Sequence, residues 1–450
     1  MTNLKLLLTT PYIDKIVEPL YDSPNFVRTS LATLAGFVRA NSDVSIKCID
    51  AKFDQLNLKA LLAEIEEFKP DVIGISAFTY EFEEAAILAK EIKARYSNQC
   101  LIVVGGSHVS ALPVETLKRY SSFDLCAIGE SEVTLLEIIR NNSERNWVSI
   151  DGIAFKNIHG DIIQTKPRAK IDNLNSLPMP AWDMLPKATE YFIQSSRGCP
   201  FNCYFCFNPN GTTVRLRSAI NIITEVNWII EHIHPKRISF GDEAFGTNKA
   251  ESLNLLDLMI ENNISEKTSW DIQTHVSFID EVLIKKLKLA GVSKIEMGVE
   301  TGSEAIMKSI GKGITKEKVL TAFNLCKKYK INTGAFFILG HPEDTKKTIW
   351  ETIKFAAKIN PTEPIFGILV PFPGTRIPSN IDYNIENWSY FRKQINGTMP
   401  ISKLSKISLK KYLVIAIPFV FLRNYRFFGF SKYIITNSNN LFKFVKHLFN

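Results

Sequence analysis

Three cysteines crowd into the run Arg197-Gly198-Cys199-Pro200-Phe201-Asn202-Cys203-Tyr204-Phe205-Cys206. Thiolates at C-x3-C-x2-C spacing can wrap one face of an iron–sulfur cluster, because cysteine sulfur is the ligand such clusters prefer. A [4Fe–4S] cube has four irons, so three ligands leave one iron open to a bound molecule. Zinc is the competing occupant. Structural zinc takes a closed set of four ligands, no fourth Cys or His stands nearby in a recognisable ligand pattern, and the spacing is unusual for zinc.

The elements that must position these cysteines fall into two alternating halves. In the first, apolar runs at 4–9, 44–50, 71–77, 101–104 and 124–128 read as buried strands, and 26–40, 58–68, 81–95 and 114–120 carry helical spacing. Such alternation predicts an α/β fold, a doubly wound, Rossmann-like parallel sheet with helices on both faces. Ligands of these sheets bind at the carboxyl ends of the strands. Those ends carry Asp50, Ser76-Ala77-Phe78-Thr79, Gly105-Gly106-Ser107-His108 and Gly129-Glu130. The glycine pair permits close backbone approach by a bulky ligand, although tight turns alone would use the same residues.

Residues 151–165, with His159-Gly160 between two β-type runs, read as a hairpin, and the prolines from Pro178 to Pro186 mark a linker. Alternation then resumes, with strands expected at 191–196, 237–240, 270–274, 294–298, 333–339 and 364–370. Helices are expected between them at 218–234, 249–262, 279–290, 316–330 and 346–358. Six repeats predict a partial (β/α)6 barrel, whose chemistry belongs at the carboxyl ends of its strands. The cysteine run follows the first of these. The expected division is a Rossmann-like domain at 1–145, hairpin and linker at 146–188, the barrel at 189–385 and a basic helical region at 386–450.

A chain of 450 residues is too long for one core of ordinary size and suits two domains with an appendage. The odd count of seven cysteines argues against a disulfide framework and for a reducing compartment. Cys48, Cys100 and Cys126 lie in or beside apolar strands and read as small hydrophobes. The net charge of +8 is local: residues 401–450 hold nine Lys or Arg and no Asp or Glu, leaving about −1 for the rest. Nucleic-acid binding is therefore not expected. A secretory leader is not expected either. The longest apolar run, 412–422, is short for a membrane span and is interrupted by Pro418. Cytoplasmic residence follows as the expectation, with membrane association through the tail as its variant.

Cys199, Cys203 and Cys206, with the aromatic Phe205 before the last, resemble the signature of radical S-adenosylmethionine (SAM) enzymes. The resemblance extends over the barrel. Phe240-Gly241-Asp242-Glu243-Ala244-Phe245 is similar to the acidic motif after the second strand, and Gly298-Val299-Glu300-Thr301-Gly302-Ser303 to a further SAM-contacting segment. Residues 337–345 and 371–375 match stretches common in a branch that carries an N-terminal cobalamin-binding domain, which the first half resembles. The resemblance implies a [4Fe–4S] cluster on Cys199, Cys203 and Cys206. It implies SAM near Phe205 and Gly241, its ammonium on Asp242 and Glu243, with Glu300 bonded to another part. It implies cobalamin against Ser76, Gly105, Gly106 and Ser107. No side chain is assigned to catalysis.

The sequence also departs from the family. Cobalamin domains that ligate cobalt through histidine carry D-x-H-x-x-G after the second strand. The matching stretch here is Asp50-Ala51-Lys52-Phe53-Asp54-Gln55, lacking both the His and the Gly. Cobalamin is therefore expected without a protein histidine on cobalt; a domain that has lost cobalamin would show the same pattern. His275 stands where many relatives have Arg, and His341 stands in a Gly-rich stretch before Asp344. Lone polar residues at strand ends read first as structural.

The implied reaction is reductive cleavage of SAM to a 5′-deoxyadenosyl radical, then methylation of an unactivated carbon or phosphorus with methylcobalamin. Relatives use the same two domains for cyclisation or rearrangement. A methylthiotransferase would need three further ligating cysteines, and a cobalamin or redox sensor would need an output module. The implied partners are a small-molecule substrate, lipid-like or anionic, and an electron donor such as flavodoxin or ferredoxin. In the tail, Leu441, Phe442, Val445, Leu448 and Phe449 fall on one helical face, with Lys443, Lys446 and His447 on the other. With Arg423, Arg426 and Lys432 they could meet an anionic membrane or an acidic substrate. The alternative is helices packed over the barrel with their charges in water.

Overall fold

The computed structural model describes residues 4–14, 22–96, 99–377, 388–391, 401–431 and 434. Lys432 and the helical face expected at 441–449 lie outside the described residues. The chain divides into two compact units, one built on Met1–Tyr191 and the other on Phe192–Cys206 with Gly211–Asp382 and Tyr390–Asn450; Phe207–Asn210 and Tyr383–Ser389 go with the first.

The first unit is a sheet of β1 (Lys5–Thr9), β2 (Ser45–Ile49), β3 (Val72–Ser76), β4 (Leu101–Gly105), β5 (Leu125–Ala127), β6 (Ile153–Lys156) and β7 (Ile162–Gln164). The spatial order is β2-β1-β3-β4-β5-β6-β7. The first five strands pair in parallel. Leu6, Leu7 and Leu8 are all buried, as expected where helices cover both faces and a strand must be apolar throughout. The order reverses between β1 and β3, and that switch point is where open α/β sheets bind ligands. The hairpin expected at 151–165 forms as β6 and β7 and lengthens this sheet by antiparallel pairing with β5.

The second unit is built on β8 (Glu190–Ile193), whose first residues belong to the other unit, a short ladder of β9 (Ser196–Arg197) and β10 (Arg215–Leu216), then β11 (Arg237–Phe245), β12 (Ser269–Thr274), β13 (Lys294–Glu300), β14 (Asn332–Leu339) and β15 (Glu363–Ile368). Its main sheet runs β15-β14-β13-β12-β11-β8, with spatial order following chain order and helices between the strands. That is the wall of a partial α/β barrel. Polar caps set the helix starts: Ser218 accepts from the Asn221 amide, and Thr345 and Thr348 form a capping box.

Two barrel strands run further than their apolar cores predict. β11 continues past Phe240 to Phe245 with a register shift, and β13 continues past Gly298 to Glu300 with another. Both acidic motifs therefore sit on irregular strand ends, where a shift in register re-aims side chains.

Helix Lys406–Arg423 contains Pro418 in its interior. An internal proline costs about 3 kcal/mol. Buried Leu413, Ala416, Val420 and Phe421 on either side of it offset that cost by packing, and Trp350 meets the rings of Tyr412 and Phe419. Arg426 is committed to the barrel: it donates to the carbonyls of Pro361 (2.6 Å) and Thr362 (3.0 Å) and to Asn360 Oδ1. Among the described residues no helix is long and apolar enough to cross a membrane.

Candidate functional site

The cysteine loop is closed at its base by β9 and β10, with Arg197 opposite Arg215 and Ser196 opposite Leu216. Gly198 has φ +102, and a side chain there would run into the Thr213 carbonyl, so only glycine fits this entry. The Cys199 amide donates to the Gly211 carbonyl at 3.0 Å. Further along, the Tyr204 amide donates to the Ile310 carbonyl, and the Tyr204 carbonyl accepts from the Arg376 amide. Two of the three aromatic residues between the cysteines, Phe201 and Tyr204, are held by histidines. Phe201 stacks on His275 with centroids 3.7 Å apart, and the Tyr204 hydroxyl meets His341 Nδ1 at 2.5 Å.

Cys199 and Cys203 are half-buried and Cys206 is exposed. Burial pushes all three thiols up, Cys203 to about 12, and the Lys312 ammonium opposes that shift at each of them. Among the described residues no three Cys, His, Asp or Glu side chains are placed to hold a single metal ion. Three soft thiols on a pinned loop, beside a cation that offsets their charge, fit the cluster.

The acidic residues do different jobs. Asp242 is 1% exposed. Its carboxylate accepts from the amides of Ser195 and Ser196 (both 2.7 Å) and from both serine hydroxyls. Burial raises its carboxyl to about 6 against the pull of those bonds. It ties β11 to the residues that lead into the cysteine loop, so its oxygens are already taken. Glu243, the next residue, is exposed. Glu300 is buried, holds φ +66 and pairs with Lys312, whose ammonium also donates to the Gly298 carbonyl at 2.9 Å. A side chain at Gly298 would collide with both members of that pair. A glutamate in the left-handed region is strained.

Both barrel histidines are buried and neutral. His275 Nδ1 accepts from the Ser277 amide at 3.2 Å, which leaves Nε2–H to donate to the Lys312 carbonyl at 3.0 Å. Burial, helped by Lys312, pushes it down to about 3. Burial likewise brings His341 down to about 4. Its turn is fixed by Asp344, which accepts from the amides of Gly340 (2.8 Å) and His341 (2.9 Å) and from the Thr348 hydroxyl.

In the first unit, Ser76 Oγ lies 3.0 Å from Ser30 Oγ at the end of β3. Gly105 and Gly106 end β4, and Ser107 opens a short helix, Ser107–Ala111. Gly106 has φ +112, and a side chain there would meet the Ala77 carbonyl. Gly129, after β5, is open, with no atom near its would-be Cβ, and its amide donates to Ser110 Oγ. Gly106 is therefore required by close packing on Ala77, whereas Gly129 leaves its backbone edge open.

Asp50 is buried, accepting from Thr10 Oγ1 (2.9 Å) and the Arg28 amide (2.6 Å), so it locks the loops rather than facing a ligand. Lys52, at the position of the missing histidine, is 1% exposed and turned toward Asp22. His108 is also buried, stacked on Phe82 at 3.9 Å and edge-on to Trp388. Arg28 pairs with Glu81 at 2.7 Å and lies over the exposed Phe78 ring, yet its buried Nη1 has no hydrogen-bond partner among the described residues. An orphaned buried donor beside an exposed ring fits a bulky polar ligand at the switch point.

Residues 193–356 match the radical SAM superfamily and residues 27–139 match the B12 binding domain. Over 387 residues the chain is 31% identical to a protein of Pyrococcus horikoshii named uncharacterized methyltransferase PH0819, covering 84% of this chain and 83% of that one. The chain belongs to the B12-binding radical SAM family.

This radical SAM enzyme is also 25% identical over 394 residues to the anaerobic magnesium-protoporphyrin IX monomethyl ester cyclase of Rubrivivax gelatinosus, covering 83% of this chain and 69% of that one. Its fold is like that of the radical SAM methyltransferase TsrM from Kitasatospora setae, a structure with cobalamin and a [4Fe–4S] cluster bound. The TM-score is 0.69 at 18% identity, covering 84% of this chain and 74% of that one.

Several residues of the radical SAM site are not among those expected from the sequence. Lys312 reaches the cluster loop from between Gly311 and Gly313, both at positive φ; a lysine flanked by glycines was the available signal. Ser195 and Ser196 had none, since their partner lies more than 40 residues away.

Proposed function

We propose that this enzyme is a cobalamin-dependent methyltransferase acting on an unactivated carbon, or phosphorus, of a small molecule in the cytoplasm. The observation that carries the reading is the pinned three-cysteine loop at the barrel's strand ends, in a chain that also carries glycines at the carboxyl strand ends of a B12-binding sheet. Cys199, Cys203 and Cys206 would hold the cluster, and Ser76, Gly105, Gly106 and Ser107, with Arg28 and Phe78, would hold cobalamin. When bound, the cluster, SAM and cobalamin supply the one-electron chemistry and the methyl group.

The chain's own residues then have definable tasks. Glu243 is the exposed carboxylate of the two and would take the SAM ammonium, while Asp242 is a positioning residue that sets the entry of the cysteine loop. Phe205 and the Gly241 backbone would contact the rest of SAM. Glu300 and Lys312 neutralise each other beneath the loop, and Lys312 also offsets thiolate charge. Neither Lys52 nor His108 is presented to a ligand, which supports cobalamin held without a histidine on cobalt. The electron comes from a small donor of the flavodoxin or ferredoxin type.

The similarity to a cyclase supports a second reading, in which the same cofactors drive ring formation without methyl transfer. Anaerobic reconstitution separates the two. The expected result is about four irons per chain, cobalamin retained through desalting, 5′-deoxyadenosine on reduction, and S-adenosylhomocysteine formed only when cobalamin is bound. Formation of 5′-deoxyadenosine with cobalamin retained but no S-adenosylhomocysteine would favour the cyclase reading.

A further inference from the structure

Helix Lys406–Arg423 is apolar on two opposite faces. Leu409, Leu413, Ala416 and Val420 turn inward and are buried. Ile407, Val414, Ile415 and Leu422 follow a spacing of seven, eight and fifteen residues from the first, which at 100° per residue places them on the opposite side. All four are exposed, Ile407 at 68%. A helix apolar all round is normally covered all round, and among the described residues this one is covered on one side.

The chain then turns and exposes three aromatic rings in succession: Tyr425 at 81%, Phe427 at 58% and Phe428 at 93%. Large exposed aromatics are rare on a soluble surface unless something meets them, and aromatic rings are the side chains that settle at a lipid headgroup boundary. Lys403, Lys411 and Arg423 are exposed on and around the stripe, and no acidic residue occurs from 401 to 450. The rest of the chain carries about −1, so the positive charge is confined to the region that exposes the apolar stripe.

We propose that this face docks the enzyme on an anionic membrane surface, the stripe and the three rings entering the headgroup layer while the lysines and Arg423 meet lipid phosphates. The helix lies flat: it cannot cross, because its inner face belongs to the barrel unit. Apolar burial supplies the depth of insertion and the cations supply the preference for anionic lipid. The proposal is independent of which atom the enzyme modifies.

The test is co-sedimentation of the full reconstituted chain with vesicles of equal parts phosphatidylglycerol and phosphatidylcholine, against phosphatidylcholine alone. The expected result is binding to the anionic vesicles, weakened by salt and reduced at least about ten-fold by the double substitution Phe427→Ser/Phe428→Ser. Both side chains point outward, and unchanged iron content and melting temperature would show that the variant is folded. A second variant, Val414→Ser/Ile415→Ser, should act in the same direction. No sedimentation at low salt would overturn the proposal. So would binding that both variants leave unchanged. A concentration-dependent dimer that the substitutions dissolve, with no vesicle binding, would assign the face to a second copy instead.

Discussion

The two parallel sheets of this enzyme end differently. At the carboxyl ends of β3, β4 and β5 the backbone is bared by Gly105, Gly106 and Gly129, and the side chains nearby are locked among themselves. At the ends of β11, β12, β13 and β14 polar side chains are packed in instead, with Asp242, His275, Glu300 and His341 buried and Lys312 half-buried beside Glu300. The difference suits what each end must hold. A large, preformed ligand needs room and backbone edges, and Gly129 leaves such an edge open. A cluster assembled on three thiols needs its loop fixed in place, so its surroundings are made of ties.

If that contrast is right, a change on one side should leave the other working. The largest effect is expected from Cys203→Ala, which should reduce iron to near zero and abolish 5′-deoxyadenosine formation while cobalamin is still retained on desalting. Loss of both cofactors together would show that the two ends are not separable. The converse is Gly106→Val. Its left-handed φ and the Ala77 carbonyl oppose any side chain, so a destabilisation of about 1–3 kcal/mol is expected in a thermal melt. Cobalamin retention should fall, with iron content and SAM cleavage preserved.

Acid should test both regions together, because each buries neutral histidine. Burial, with Arg119 adding to it, holds His108 down to about 3, and burial holds His275 and His341 to about 3 and 4. The unfolded chain takes up these protons near pH 6.5, whereas the folded chain does not until pH 3–4. Stability is therefore fully present above pH 6.5 and lost as the pH falls below it, by about 1.4 kcal/mol per pH unit for each histidine. His341→Gln should reduce the slope of apoprotein stability between pH 6.5 and 5 by one proton; an unchanged slope would mean the ring is not buried neutral. Tyr204→Phe removes only a hydroxyl and should cost about 1 kcal/mol, but it should also alter the electron paramagnetic resonance signal of the reduced cluster. The smallest effect belongs to Arg39→Ala. It breaks an exposed pair with Asp183 and should shift stability by less than about 1 kcal/mol.

What could be read from the sequence was what is local. The cysteine spacing, the Gly105-Gly106 pair and the strand–helix alternation each lie within a short window, and each carries its physical reason with it. The acidic motifs were visible as residues but not as roles. Asp242 and Glu243 are neighbours in sequence, and only the bulged end of β11 decides that one is buried on two serines and the other is exposed. The Tyr204–His341 contact joins positions 137 apart, and no periodicity announces such a pair. Nor does the local rule for Pro418 announce that a helix passes through it, because packing on both sides of it decides that.

The thiols of the cysteine loop stand half-open on a frame that is already closed by β9, β10 and the amide of Cys199. A polypeptide built this way can be completed after it has folded, since iron and sulfide need reach only the rim and no element has to be unpacked to admit them. The same door swings for dioxygen. Whatever makes the centre easy to install makes it easy to spoil, so the working life of the enzyme in air should be set by how long its own ligands keep that rim covered.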